Sequence, residues 1–447
     1  MKTQRTVSVS RFSLFAAALA LTCAGVARAA DATPAASAAA SAPVVSITSP
    51  ALPGFDLAKY EYARVIRLAD AALKVEPKTI VAAINPRSAG GSHDFSSDGD
   101  YWWPDPKNPG GPYIQRDGET NPDNFVAHRQ FLMEFSRDVS VLAAAYKLTG
   151  DQRYAAAAVK HLLAWFVNPD TRMNPSLLYS QAITGRFTGR GIGVIDTLHL
   201  AEPAMAILAL RGGGSVPRAN AFTPETDAAV TAWFRDYLHW MRTHEYGIAE
   251  MNAANNHGTC WTLQAACFAR VTDDAETLAL CRDRLTQIHI PRQMAPNAKF
   301  PTSPIGSFPQ ELARTKPYGY SIFNLDVMTA LAQAVSAPDK NYMTWTISDT
   351  DPRGMIKAVA FLAPYLADKD KWLAEVEVKP GVKIKPDVMY WNEWPVRQPS
   401  LIFGAMAGGN KDWLALWQKL APDNMVEEVQ RNYPIRQPVL WFPADKR

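Results

Sequence analysis

Two short polar segments stand where helical patterns begin, and both carry side chains able to act on an acid group. In Asn255-Asn256-His257 one asparagine would suffice to cap the free backbone amides of a helix start, and capping has no use for the histidine. An amide and an imidazole at the positive end of a helix dipole are also suited to binding and neutralising a carboxylate. In Arg314-Thr315-Lys316-Pro317-Tyr318-Gly319-Tyr320 two cations precede two tyrosines. A phenol near positive charge has its acidity increased and can transfer a proton; tyrosines at a helix start otherwise serve as packing.

Two loops supply binding surface. Tyr101-Trp102-Trp103-Pro104-Asp105-Pro106 places adjacent indoles in a Pro-rich loop. Both cannot enter one core, so at least one is expected to line a cleft where flat rings stack on sugars, the alternative being a loop pinned down by aromatic packing. Gln181-Ala182-Ile183-Thr184-Gly185-Arg186 continues to Arg190 and alternates glycine with forked donors matched to carboxylates. Its arginines could instead pair with Asp196 and Glu202. The glycine spacing is not that of a dinucleotide loop and no strand precedes it.

Together these segments compose a site for an acidic sugar polymer, and the reaction they serve best is β-elimination at a uronate. Once the carboxylate is neutralised, the C5 proton becomes removable and an acid can protonate the departing C4 oxygen. Hydrolysis would want two facing carboxylic acids; Glu311, Asp326 and Glu393 are available, none in a paired setting. The competing readings are a glycoside hydrolase on a helical toroid and a non-catalytic periplasmic uronate-binding protein. The other histidines show no metal-ligand spacing, so no metal is expected from them; a site of scattered oxygens would leave no such spacing.

Asn255-Asn256-His257, with Arg314 and Pro-Tyr318-Gly-Tyr320 leading into Ser-Ile-Phe-Asn-Leu, resembles the alginate lyase superfamily, over roughly residues 60–337. The resemblance implies an incomplete (α/α) toroid and cofactor-free elimination on a β-1,4-linked uronate polymer such as polymannuronate or glucuronan. Asn256, His257 and Arg314 would then neutralise the carboxylate, and Tyr320 would be the catalytic tyrosine. Trp102, Trp103, Gln181, Arg186, Arg190 and Tyr318 are the candidate substrate contacts. The Tyr-Trp-Trp-Pro and Gln-Ala-Ile-x-Gly-Arg segments are closer to a second branch than to the mannuronate lyases. Gly258-Thr259 departs from the Ser-Tyr that follows the histidine in the latter, and Arg314 precedes Tyr320 by one residue fewer. In mannuronate and glucuronate H5 and O4 share a face, so one tyrosine could be base and acid; in guluronate they do not, and His257 would have to be the base.

The elements that must hold these segments are helical. Apolar residues recur at i, i+3, i+4 and i+7 over 60–73, 131–148, 152–166, 197–210, 225–242, 257–271, 274–289, 321–335 and 353–366. Short connections such as Thr149-Gly150-Asp151 predict antiparallel helical hairpins packed side by side, an arrangement that over 54–447 fits the all-α toroid the resemblance implies. Two long irregular stretches, 85–125 and 168–193, carry the loops named above and are expected to be functional. From Trp372 the pattern breaks into Pro-punctuated pieces, expected to return over the toroid surface.

A composition that is 47% hydrophobic and 20% charged is that of a globular chain. The formal charge of +3 is misleading, because Lys2, Arg5, Arg11 and Arg28 lie in a segment, Met1 to Ala29, with the basic, apolar and small-residue parts of a secretory signal. Its removal leaves 42 basic against 43 acidic residues and no polybasic run, which argues against nucleic-acid partners and a membrane anchor in the mature chain. A periplasmic or secreted location is expected, with residues 30–53 as a flexible Ala/Ser/Pro leader. Cys260, Cys267 and Cys281 have no metal spacing and are expected mainly as packing residues, one bridge to Cys281 being the alternative.

Overall fold

The computed structural model describes residues 42–376 and 391–445. The expected signal and the start of the leader lie outside them. The leader ends sooner than expected. Val45, Ile47 and Leu52 are buried, Val44 N donates to Leu148 O at 2.8 Å, and Leu57 N to Ile47 O at 2.9 Å. Three spaced apolar side chains and a few backbone bonds are enough to dock a segment whose composition reads as disordered.

Helices α1 (Leu57–Ala72), α2 (Ala127–Thr149), α3 (Gln152–Phe166), α5 (Pro224–Thr243) and α7 (Asn256–Thr272) follow the expected periodicity closely, α4 (Ala201–Arg211) and α8 (Ala275–Asp283) cover part of their expected spans, and α6 (Glu245–Met251) is an additional short helix. Short α9 (Ile290–Gln293) and α10 (Pro309–Leu312) precede α11 (Pro317–Val335), α12 (Met355–Ala367) and α13 (Asp370–Glu375). The α2–α3 hairpin turns at Gly150, whose φ of 71° is the left-handed conformation that ends a helix, and Asp151 then caps α3 by accepting from Arg153 N. Consecutive helices pack side by side: α2 contacts α1, α3 and α4, while α7 contacts α4, α5, α8 and α11.

α7 is therefore central. Trp261, Leu263 and Phe268 are fully buried along it, as are Cys260 and Cys267. Together with Cys281 these cysteines are free thiols, so packing is their role and the alternative bridge is absent. Phe135, Trp165, Phe166, Trp233 and Phe234 form a chain of ring contacts between neighbouring helices, with centroids 4.4–5.4 Å apart. Burying each such side chain stabilises the fold by about 1.5–3 kcal/mol. The apolar run Gly191–Arg211 is long enough to cross a membrane, but 78% of its most apolar 18-residue stretch is buried inside the fold, as a core element would be.

Three expectations need correcting. The helix read over 197–210 starts as a 3₁₀ segment, Gly191–Leu200, and becomes α-helical, as α4, only from Ala201. The helix read over 274–289 widens after α8 into a π segment, Arg284–His289. The C-terminal part does not merely return over the surface. Its helices α14 (Pro399–Gly408), α15 (Lys411–Lys419) and α16 (Glu427–Arg431) bring Leu401, Phe403 and Trp417 into the core, and α14 packs on α11 and α12.

The long stretches are not structureless. β1 (Ser96–Asp98) pairs in parallel with β4 (Tyr179–Ala182), tying the two loops together, and β2 (Trp102–Trp103) pairs antiparallel with β3 (Ile114–Gln115). β4 also packs against the 3₁₀ segment that leads into α4.

Candidate active site

The N-termini of α7 and α11, the tied loops and the end of α16 meet around a pocket of about 190 Å³. Asn256, His257, Arg314, Tyr320, Tyr101, Trp102, Gln181, Arg190 and Arg431 all line it.

Asn256 and His257 occupy the first turn of α7, and each is held by a buried glutamate. Asn255 makes no side-chain cap. Glu311 does that work from α10, accepting from Asn256 N at 3.0 Å and from Asn256 Nδ2 at 2.7 Å. His257 Nδ1 is 2.7 Å from Glu250 Oε1. Burial opposes a charge on the imidazole, yet Glu250, with help from Glu311, outweighs it and raises the His257 pKa above the ordinary histidine value. The cation is thereby favoured, with Nε2 left to meet a ligand. Gly258 fits the same crowding, since a Cβ there would collide with the Ala253 carbonyl.

Arg314 reaches across to Tyr320. Its Nη2 donates to the phenol oxygen at 3.1 Å and its guanidinium lies 4.3 Å from the ring centroid, while Asp117 steadies it at 3.3 Å. The Tyr320 hydroxyl also hydrogen-bonds the Tyr101 hydroxyl at 3.0 Å. Below this pair lies a charge cluster. Arg129 grips Asp100 with two bonds of 2.8 and 3.1 Å, and Arg431 adds a third at 2.8 Å. Burial would raise the Asp100 pKa, but the two arginines hold it at about 2.

The sequence profile of the alginate lyase family matches residues 79–372. The chain belongs to the alginate lyase family. Its fold is similar to the crystal structure of an alginate lyase from Bacteroides ovatus, at 29% identity over 84% of this chain and 92% of that one, with a TM-score of 0.66. It is also similar to a histidine variant of alginate lyase A1-III complexed with a tetrasaccharide, at 12% identity over 85% and 94% of the two chains, TM-score 0.51; that enzyme comes from Sphingomonas species A1. No curated protein matches the chain. The protein is thus a polysaccharide lyase of all-α architecture.

In this lyase the pocket gathers Asn256, His257, Arg314 and Tyr320 with Trp102, Gln181 and Arg190, and leaves out three expected contacts. Tyr318 is fully buried, donates to the Tyr365 carbonyl at 3.0 Å and packs on Trp372 and Trp391. It faces the core because it lies two residues from Tyr320 on the same helix turn, nearly opposite in azimuth. Trp103 pins its loop instead, donating from Nε1 to Glu119 O at 2.8 Å beneath Arg116. Arg186 is exposed and bonds the Tyr113 carbonyl at 2.7 Å. The alternative pairing of the loop arginines fails too: Asp196 takes Gln181 and Ser97, and Glu202 takes the backbone of Arg436 and Gln437.

The expected acidity of Tyr320 is reversed. Burial, reinforced by Tyr101, raises its pKa well above the usual phenol value, and Arg314 only partly counters this. Sequence reading also passed over Tyr101, Glu250 and Arg431. Tyr101 adjoins Trp102 in the quoted loop and was within reach. Glu250, seven residues before His257, lies near two turns away in sequence terms but on a different helix, and Arg431 carries no local signal at all.

Proposed function

We propose that the lyase cleaves a β-1,4-linked polyuronate of the polymannuronate or polyglucuronate type by β-elimination. What supports this above all is the Arg314–Tyr320 hydrogen bond in the same pocket as Asn256 and His257. The uronate carboxylate would be met by the Asn256 amide, the His257 cation and Arg314, which lets negative charge spread from C5 into it. Tyr320 enters as a neutral phenol. It gives its proton to O4 as the C4–O4 bond breaks, and takes the C5 proton as those electrons form the C4=C5 double bond, ending as it began. Arg314 steadies the charge that passes through the phenol oxygen.

A raised His257 pKa suits a carboxylate-binding cation better than a base, which supports a substrate whose H5 and O4 share a face, where Tyr320 alone can serve. The names of the similar structures support alginate, whose mannuronate residues meet that condition. A hydrolase finds less support: Glu311 is spent on Asn256, Asp326 on Ser400 and Glu393 on Asn424. The signal-like N-terminus supports action outside the cytoplasm.

The test is incubation of the purified protein with polymannuronate, polyguluronate, glucuronan and hyaluronan while ultraviolet absorbance is followed. An absorbance rise with polymannuronate or glucuronan, and little with polyguluronate, is the expected result. New reducing ends without absorbance would make it a hydrolase; binding without either product would make it a binding protein.

A further inference from the structure

A second cavity, of about 50 Å³, shares no lining residue with the catalytic pocket. It lies between the connection 252–255, which joins α6 to α7, and the π segment with α9. Asn252, Ala254, Arg284, His289, Arg292 and Gln293 line it, and no lining residue is acidic. Such a volume admits about four waters or one small anion.

Among the described residues neither of its two guanidiniums pairs with a carboxylate. Arg284 is 5% exposed. Its Nε donates to Thr262 Oγ1 at 3.2 Å and its Nη2 to the Met251 carbonyl at the end of α6, both neutral acceptors. Burial lowers the Arg284 pKa and Arg292 lowers it further, with only the Cys281 thiol acting the other way. Arg292 is exposed and makes no side-chain hydrogen bond among the described residues. His289 supplies no negative charge either. Its ring nitrogens meet Thr262 Oγ1 at 2.8 Å and Gln293 Nε2 at 3.1 Å, and burial with the two arginines holds its pKa at about 3, so the ring is neutral.

Two cations on one small space, one of them buried, cost the fold stability unless an anion lies between them. The backbone carries an independent sign: Arg284, Ile288 and His289 come from the π segment, a rare form that recurs at functional sites. Guanidinium forks match oxyanions by paired, charge-assisted hydrogen bonds.

We propose that this cavity is a binding site for one compact oxyanion, an inorganic sulfate or phosphate or the carboxylate of a free uronate, gripped by Arg284 and Arg292. Gln293 links the site to α7, donating from Nε2 to the Asn255 carbonyl at 3.0 Å and accepting at Oε1 from Thr259 Oγ1 at 3.1 Å. A bound anion therefore ties the π segment to the start of the helix that carries Asn256 and His257, and stabilises the fold by mass action.

The test is calorimetric titration of the full chain, in chloride of matched ionic strength, with sulfate, phosphate and monomeric mannuronate as separate probes. At least one probe is expected to bind with a Kd of about 1 mM or tighter, and to raise the melting temperature as its concentration rises. Arg292→Gln removes an exposed side chain that bonds nothing else; it should weaken that binding by about tenfold or more and cancel the rise in melting temperature. If Arg292→Gln does not fold, Arg292→Glu, which puts a carboxylate in the cavity, must abolish the binding. Loss confined to sulfate and phosphate identifies an inorganic anion, and loss of mannuronate binding identifies a sugar carboxylate. No binding by any probe would overturn the proposal, as would binding that survives Arg292→Gln and disappears in His257→Ala, since that anion would sit in the catalytic pocket.

Discussion

Glu250 Oε1 lies 2.7 Å from His257 Nδ1, and the glutamate is closed off from solvent with its second oxygen unpartnered among the described residues. A carboxylate hydrogen-bonded to an imidazole favours the cationic form of that ring. Glu250 therefore raises the pKa of the imidazole that faces the pocket as well as fixing its orientation.

The consequence for pH follows with a definite sign. The Glu250 charge raises the His257 pKa, so the cation persists to higher pH, and activity should fall as pH rises through that value. Glu250→Gln keeps the shape and one acceptor but removes the charge. The alkaline limb of kcat/KM should move to lower pH, with the acid limb unmoved. A uniform loss across the whole profile would show that Glu250 acts only as packing.

Tyr320→Phe removes the proton carrier and leaves the ring stacked under Arg314. Elimination should drop by about 10²–10⁴-fold on every substrate cleaved, the usual worth of a positioned acid or base, while affinity for oligosaccharide is retained. Tyr101→Phe breaks only the 3.0 Å hydroxyl contact and should cost far less. Retention of most of the wild-type rate by Tyr320→Phe would exclude it as the proton-transfer group.

Glu311 makes two hydrogen bonds to Asn256, one to the backbone and one to the side chain, from a fully enclosed position. Burial raises its pKa and those two bonds only partly counter that, so it is held by what it accepts. Glu311→Leu should lower stability by about 3 kcal/mol, for two charged hydrogen bonds lost and an α7 end left uncapped. It should also raise KM, because the Asn256 amide loses its orientation. Thermal unfolding and steady-state kinetics read the two effects separately; a stable variant with normal KM would contradict the role given to Glu311.

What could be read from the residues and what could not divides along physical lines. The helices were legible because each buries one face, and that leaves a period in the sequence: α3 begins and ends where its pattern does, at Gln152 and Phe166. Asn256, His257, Arg314 and Tyr320 were legible because polar residues clustered at helix starts break that period. Glu311 and Arg431 act through contacts between elements distant in sequence, and such contacts leave no spacing to read; Glu250 is only seven residues from His257, but the break between α6 and α7 removes the helical register that would have paired them. Tyr318 misled for the converse reason: composition placed it in the polar segment, and only the helix turn decides which of two tyrosines faces inward. The leader misled because composition counts apolar residues without asking whether the fold leaves a groove for them.

Arg431 lies beyond the stretch that matches the family, yet it reaches into the pocket to bind Asp100 at 2.8 Å beside Arg129. Burial works to raise the Asp100 pKa, and the two arginines together bring it to about 2. A carboxylate depressed in this way stabilises the fold above its unfolded pKa, and that contribution is lost as pH falls through the folded value. Arg431→Met removes one of the two cations, so the depression shrinks and the acid unfolding midpoint, followed by circular dichroism, should move to higher pH. Asp100 adjoins Tyr101, which bonds Tyr320, so the same variant should also lower kcat at neutral pH. If both the acid midpoint and kcat stayed at wild-type values, the C-terminal segment would be a cover over the pocket and not a working part of it.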